Sequence, residues 1–194
     1  MRIYGDSRSG NCLKAKFTAG CLGIAYEWRE VDIMTGACRT PAFRKLNPAG
    51  QVPVLELDDG RTLAQSNAII LYLAEGSALI PSDKFARAKM HEWLFWEQHR
   101  HEKTIAELRF QRLLLGKRDD ELEPERVAGG RAALDLMNTH LSENNYFVGE
   151  ALGLADIALV AYTRWADEAG FDLAGWPAVD AWVTRIESDL GIGG

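Results

Sequence analysis

Three short stretches hold residues whose types and spacing can do chemistry, and all of them end by Ile69. The first is Asp6-Ser-Arg-Ser-Gly-Asn-Cys12. It leads from a short strand pattern into a helical one, and a loop entering a helix gathers unpaired backbone N–H groups and the positive end of the helix dipole. Such a place stabilises a thiolate, and Ser9 and Asn11 add side-chain donors to it. A free thiol has a pKa of about 8.5, with about 1.4 kcal/mol per unit. Two charge-assisted hydrogen bonds at about 1.5–3 kcal/mol each lower it by about two units or more. A plain helix cap at Ser9 accounts for the same residues equally well.

The second stretch is Asn47-Pro-Ala-Gly-Gln-Val-Pro-Val-Leu55. Proline at the start of a strand cannot donate to the ladder. A cis Val52–Pro53 bond turns the Val52 backbone outward, where its N–H and C=O can meet an extended peptide. A trans proline on an edge strand is the simpler reading of this segment in isolation. The third stretch is Leu63-Ala-Gln-Ser-Asn-Ala-Ile69. Gln65 and Ser66 stand at another helix N-terminus, suited to a carboxylate or to an ordinary serine cap.

Ser9-Gly-Asn-Cys12 has the spacing of a redox Cys-x-x-Cys pair with its first, nucleophilic cysteine replaced, so ordinary dithiol exchange is lost. Cys12 then reads as a small apolar residue on the buried face of the helix. With Cys21 and Cys38 the cysteines number three, an odd count without metal-ligand spacing. Neither a disulfide framework nor a metal site is expected. The four histidines, His91, His99, His101 and His140, read as surface or packing residues.

The elements that position these stretches alternate strand and helix. Arg2–Gly5 is a short strand, Asn11 to about Leu22 a helix closed by Gly23, and Ala25–Asp32 a second strand. Val52–Leu57 and Arg61–Ala64 flank the hairpin turn Asp58-Asp59-Gly60, and Ser66 caps a helix over Asn67–Glu75. Linker signals fill Ser77–Asp83. Beyond them no strand pattern stands out. Asp83 to about Leu115 is one long helical pattern, of roughly 50 Å if unbroken, and a bend is expected in it. Pro124 and Pro177 each open a helix from the first turn. Leu154–Ala169 is the most apolar helix.

An apolar share of 47% supplies a sizeable core, and the net charge of -6 argues against nucleic acid or an anionic membrane as a partner. No apolar run is long enough to span a bilayer. The start of the chain lacks the pattern of a signal peptide. A cytoplasmic location follows as the simplest expectation. The net charge also poses a problem, because an acidic protein that binds an anion must build a local positive site against its own field.

Together the three stretches resemble the N-terminal domain of cytosolic glutathione transferases, and the resemblance extends over almost the whole chain. Leu154-Ala-Asp-Ile-Ala-Leu159 resembles the family's C-terminal folding motif, while Trp93-Leu-Phe-Trp-Glu-Gln-His99 and His101-Glu102 look like bacterial members. The resemblance implies an α/β thioredoxin-like domain over about residues 1–77 and an all-α helical bundle over about 84–194. It implies glutathione as cosubstrate, a hydrophobic electrophile in an apolar cleft between the domains, and a homodimer. Ser9 matches the serine that donates to the glutathione sulfur in theta- and phi-like classes, and Asn11 the asparagine of nu-like bacterial enzymes. Val52, ahead of Pro53, would pair with the cysteinyl unit. Gln65 and Ser66 would hold the γ-glutamyl end, and Arg39 falls where a basic residue often meets the glycyl carboxylate.

Three departures stand out. Gln65 replaces a commoner acidic residue, Gly153 replaces the usual Ser or Thr cap, and the sequence runs only a few residues past the Pro177 helix, so no added lid is expected. The expected reaction is conjugation of the glutathione thiolate. A glutathione-dependent disulfide or peroxide reductase, or a non-catalytic binding module on the same fold, are the rival readings.

Overall fold

The computed structural model describes residues 1–193. Among them the chain forms two compact units, Met1–Ile80 and a second from Pro81 onward. The first is built on a four-stranded sheet of order β2-β1-β3-β4. Strand β1 (Arg2–Gly5) runs parallel to β2 (Glu27–Glu30) and antiparallel to β3 (Val54–Glu56), which pairs with β4 (Thr62–Ala64). Strand β1 has the bounds that the sequence pattern predicts, while β2, β3 and β4 are shorter. Helix α1 (Gly10–Cys21) connects β1 to β2, and α3 (Ser66–Ala74) follows β4.

Side chains alternate across a strand, and the sheet uses both faces. Ile3 and Leu55 point to the face covered by Ala15 and Ala19 of α1 and Ile69 and Leu73 of α3. Tyr4 and Val54 point to the other, where they pack with Val31, Cys38 and Phe43. Phe43 belongs to α2 (Pro41–Leu46), a six-residue helix that sequence reading misses. Its signals are local: Pro41 in the first turn and a Thr40 hydroxyl that accepts from the Phe43 N–H at 3.3 Å. With a single buried side chain it offers no periodicity to detect.

The second unit is helical. The long pattern from Asp83 begins as α4 (Lys84–Trp96), but then widens into π-helix over Glu97–Ala106, regains α geometry in α5 (Glu107–Arg109) and widens again over Phe110–Leu114. Where a bend is expected from the sequence, the helix carries wide turns. Thr104 sits in the first of them, its hydroxyl 3.0 Å from the carbonyls of both Arg100 and His101. Pro124 and Pro177 open α6 (Pro124–Leu141) and α8 (Pro177–Leu190), as expected. Helix α7 (Leu154–Thr163) has all ten residues buried and stops six residues short of the predicted Ala169, where the chain passes into turns.

At the start of α7, Gly153 is the cap and Asp156 the third helical residue. The Asp156 carboxylate accepts from the N–H of Gly153 at 3.1 Å, the N–H of Phe147 at 3.0 Å and the Trp182 indole N–H at 3.0 Å. This is half of a capping box, since glycine has no side chain to reciprocate. Burial pushes the Asp156 carboxyl up to about 6, against the pull of those three donors. No helix of the described residues is long and apolar enough to cross a membrane.

Candidate functional site

The loop between β1 and α1 is organised around Asp6, whose carboxylate is fully buried. It accepts from Arg8 three times, at the backbone N–H (2.9 Å), Nε (2.9 Å) and Nη2 (2.7 Å), and from the Ile33 N–H at 3.1 Å. Arg8 Nη2 also reaches Asp32 at 2.7 Å. Burial pushes the Asp6 carboxyl up, but the Arg8 guanidinium and the two amides outweigh it and hold it below the usual range. The Asp6 main chain does a second job. Its carbonyl accepts from the Ser9 N–H at 3.0 Å, and its N–H lies 3.4 Å from Cys12 Sγ.

Ser9 takes the cap position of α1 with extended backbone, yet its side chain makes no cap hydrogen bond. Its hydroxyl instead acts on the Cys12 thiol, which it helps to pull down. Cys12 is fully buried, and burial pushes its thiol up to about 12 despite the Ser9 and Asp6 donors. The thiol is therefore held neutral, consistent with the packing role read from the sequence. Close approach requires Gly5, because a Cβ there would stand 2.9 Å from Cys12 Cβ and 2.6 Å from the Trp28 ring.

The second helix N-terminus differs from expectation in one respect. Ser66 is not the cap of α3 but its first residue, and the cap is Gln65, at φ 72° and ψ 113°. A non-glycine residue there carries strain of about 1–3 kcal/mol, a cost that clusters at functional sites. This conformation turns the chain into the helix one residue early. Ser66 is consequently buried, and its hydroxyl donates to Asn11 Oδ1 at 2.9 Å. Two stretches that sequence treats separately thus share one hydrogen bond between the N-terminal turns of α1 and α3. Lys14, fully buried on α1, places its Nζ 3.4 Å from the same Ser66 oxygen. Sequence reading misses Lys14, although a lysine between the buried Leu13 and Ala15 was the available signal.

The Val52–Pro53 bond is cis, as expected. Val52 lies half-buried just ahead of β3. Arg39 is exposed at the end of the short turn Ala37–Arg39, and among the described residues no hydrogen bond or ion pair joins it to Ser9, Asn11, Gln65 or Ser66. The structure therefore joins Ser9 to Cys12 and Asn11 to Ser66, and leaves Arg39 apart from both groupings. His101, in the helical unit, is fully buried and meets the Thr163 hydroxyl at 2.9 Å. That hydroxyl spends its proton on the Leu159 carbonyl, so His101 Nε2 is the donor and the pair links two helices.

Comparison with known proteins bears on the same elements. Residues 8–75 match the family model for the glutathione S-transferase N-terminal domain, and residues 95–189 the model for its C-terminal domain. The chain belongs to the glutathione S-transferase family. Glutathione S-transferase 3 of Zea mays is 34% identical over 198 residues, covering 96% of this chain and 88% of its own. A glutathione S-transferase structure from Pseudomonas fluorescens superposes with a TM-score of 0.93 at 46% identity, covering 96% of this chain and 94% of that one. One from Xanthobacter autotrophicus gives 0.89 at 46% identity, covering 96% and 92%. Within the glutathione S-transferase frame Ser9, Asn11 and the start of α3 fall inside the N-terminal domain match.

Proposed function

We propose that Ser9, Asn11, Val52, Pro53, Gln65, Ser66 and Arg39 form the glutathione site of this transferase, and that the thiolate held there attacks a hydrophobic electrophile. The carrying observation is the 2.9 Å bond from Ser66 to Asn11, which puts two helix N-termini side by side. Their summed N–H groups and dipoles provide the local positive site that a chain of net charge -6 needs for an anionic tripeptide. Ser9 and Asn11 donate to the sulfur. The Ser66 hydroxyl has its proton committed to Asn11, so the γ-glutamyl carboxylate falls to the Ser66 backbone N–H and the Gln65 side chain. Val52 offers its main chain to the cysteinyl unit and Arg39 its charge to the glycyl end.

In the reaction a sulfur–carbon bond forms while the bond from carbon to the leaving group breaks, and the leaving group departs with the electron pair. The protein supplies thiolate stabilisation and positioning. Ser9 has a single proton, so serving glutathione means releasing Cys12. A cytosolic homodimer completes the reading, supported by family membership and by Phe85 and Phe95, each 74% exposed on α4.

The test is the apparent pKa of bound glutathione, followed by thiolate absorbance, with turnover of an aryl halide and of a small disulfide as parallel assays. Ser9→Ala and Asn11→Ala each lower aryl-halide turnover by about tenfold, the loss of one hydrogen bond to a charged group at about 1.5 kcal/mol. If neither change nor the pair raises the pKa of bound glutathione, the site is wrongly assigned. Faster turnover of the disulfide than of the halide replaces the transferase reading by the reductase one. Sedimentation as a monomer at micromolar concentration removes the dimer.

A further inference from the structure

Ser9 stands at the cap position of α1 but spends no side-chain hydrogen bond on the cap, so the helix start does not set the direction of its hydroxyl. The residues ahead of it are held more closely than their turn requires. The Asp6 carbonyl accepts from the Ser9 N–H at 3.0 Å, and Asp6 Oδ1 accepts from the Arg8 N–H at 2.9 Å. An asparagine at position 6 makes both bonds equally well. The chain instead buries a carboxylate there completely, which is costly unless a cation answers it. Arg8 answers as a fork, Nε to Oδ1 at 2.9 Å and Nη2 to Oδ2 at 2.7 Å, and the Ile33 N–H donates to Oδ2 at 3.1 Å. Two planar groups joined at both corners have one relative geometry. The neighbouring bonds run to the same place. Ser7 donates its N–H to Glu30 at 2.9 Å, and Arg8 Nη2 reaches Asp32 at 2.7 Å. Asp6, Ser7 and Arg8 are therefore all fastened to residues 30–33, immediately ahead of Ser9.

We propose that Asp6 is a positioning residue of the glutathione site, whose carboxylate, forked to Arg8, locks the turn over residues 6–9 and so holds the Ser9 hydroxyl in reach of the glutathione sulfur. The proposal rests on Ser9 being a thiolate donor. Asp6 acts through the main chain of Ser9, because both of its carboxylate oxygens are already occupied. A donor works only when held within about 0.5 Å of its productive geometry. The fork meets that demand, where the two bonds of the turn alone leave it free to shift. The sign of the effect sets this role apart from that of a nearby charge. An anion close to a thiolate raises its pKa, so neutralising Asp6 by its charge alone lowers the pKa of bound glutathione. Loss of the Ser9 bond raises it.

The experiment compares Asp6→Asn and Arg8→Met in the full chain. It reads the apparent pKa of bound glutathione by thiolate absorbance, the pH profile of kcat/KM, and the affinity for S-methylglutathione, which carries the peptide without a titrating thiol. Asp6→Asn keeps the bonds of the turn and loses the fork. It raises the pKa by about one unit and lowers kcat/KM about tenfold at neutral pH, with recovery at high pH. Affinity for S-methylglutathione stays unchanged. Arg8→Met breaks the same fork and acts in the same direction, and it serves as the second variant if Asp6→Asn fails to fold. In a Ser9→Ala background neither change adds a further rise, because the donor that they position is gone.

An unchanged or lowered pKa in Asp6→Asn, with a raised one in Ser9→Ala, overturns the role of Asp6 and leaves the site standing. An unchanged pKa in Ser9→Ala removes that donor and the inference together. An equal loss of affinity for S-methylglutathione makes Asp6 part of the general frame and overturns its positioning role. A rise from Arg8→Met that persists in the Ser9→Ala background belongs to the guanidinium charge and overturns the route through Ser9.

Discussion

Asp6 in the sheet unit and Asp156 in the helical unit are both fully buried carboxylates that tie a loop to a helix start. Each accepts from two backbone N–H groups. They differ in the third partner, which is the Arg8 guanidinium for Asp6 and the neutral Trp182 indole for Asp156. The consequence is opposite. The Asp6 carboxyl is held below the ordinary range, while the Asp156 carboxyl is pushed up to about 6. Neutral donors satisfy the geometry of a buried carboxylate, but only a cation offsets the loss of its hydration.

The severest way to break the comparison is Asp156→Ala. It leaves the Phe147 and Gly153 amides and the Trp182 indole without an acceptor, at about 1–3 kcal/mol each. A loss of about 3 kcal/mol or more is expected from denaturant midpoints followed by the helical signal. A loss below about 1 kcal/mol means that water or other groups replace the carboxylate, and the parallel with Asp6 fails. Next is Arg8→Met, which strips Asp6 of its cation and makes it resemble Asp156. Losing one partner of a fully buried pair costs about 3–5 kcal/mol, but Arg8 is 40% exposed, so about 2 kcal/mol is expected. The acid-unfolding midpoint should rise with it.

The mildest test uses pH alone. Asp156 has a folded value of about 6 against an ordinary 3.8, so between these values the folded chain holds a proton that the unfolded chain has lost. Its contribution is therefore greatest below about pH 4, declines as pH rises to about 6, and is flat above. Asp6 has the opposite sign, with its contribution present above the ordinary value and lost as pH falls through its lower folded one. Urea midpoints should flatten across pH 4–6 in Asp156→Asn relative to the parent, as measured on the helical signal. An unaltered slope would mean that Asp156 is already ionised throughout this window.

The contrast bears on what can be read from sequence. Asp156 is legible, because a carboxylate three residues into an apolar helix after a glycine is a local pattern. So are the turns at Gly23 and Asp58–Gly60 and the proline-led starts of α6 and α8. The Asp6–Cys12 loop is legible as a stretch for the same reason. What escapes is decided by distant neighbours. Asp6 becomes a hub only when Ile33 is folded against it, Ser66 reaches Asn11 across the sheet unit, and Lys14 is buried only once α3 lies on α1. The α3 start is misread by one residue because serine is a common cap and nothing local to Gln65 demands a positive φ. Helix α2 is too short for its pattern to show. The wide turns after Trp96 leave the residue spacing unchanged, so periodicity alone does not reveal them.

The cysteines offer one practical return. Cys12 and Cys38 are buried and Cys21 is exposed, so a thiol-reactive fluorophore has a single accessible address on the native protein. Helix α1 has 12 residues from Gly10 to Cys21, so a dye there sits about 18 Å along the axis from the Ser9 end at 1.5 Å per residue. That is far enough to leave the proposed glutathione site open, and near enough on one rigid rod to report its occupancy by energy transfer or quenching, without first engineering away any native thiol.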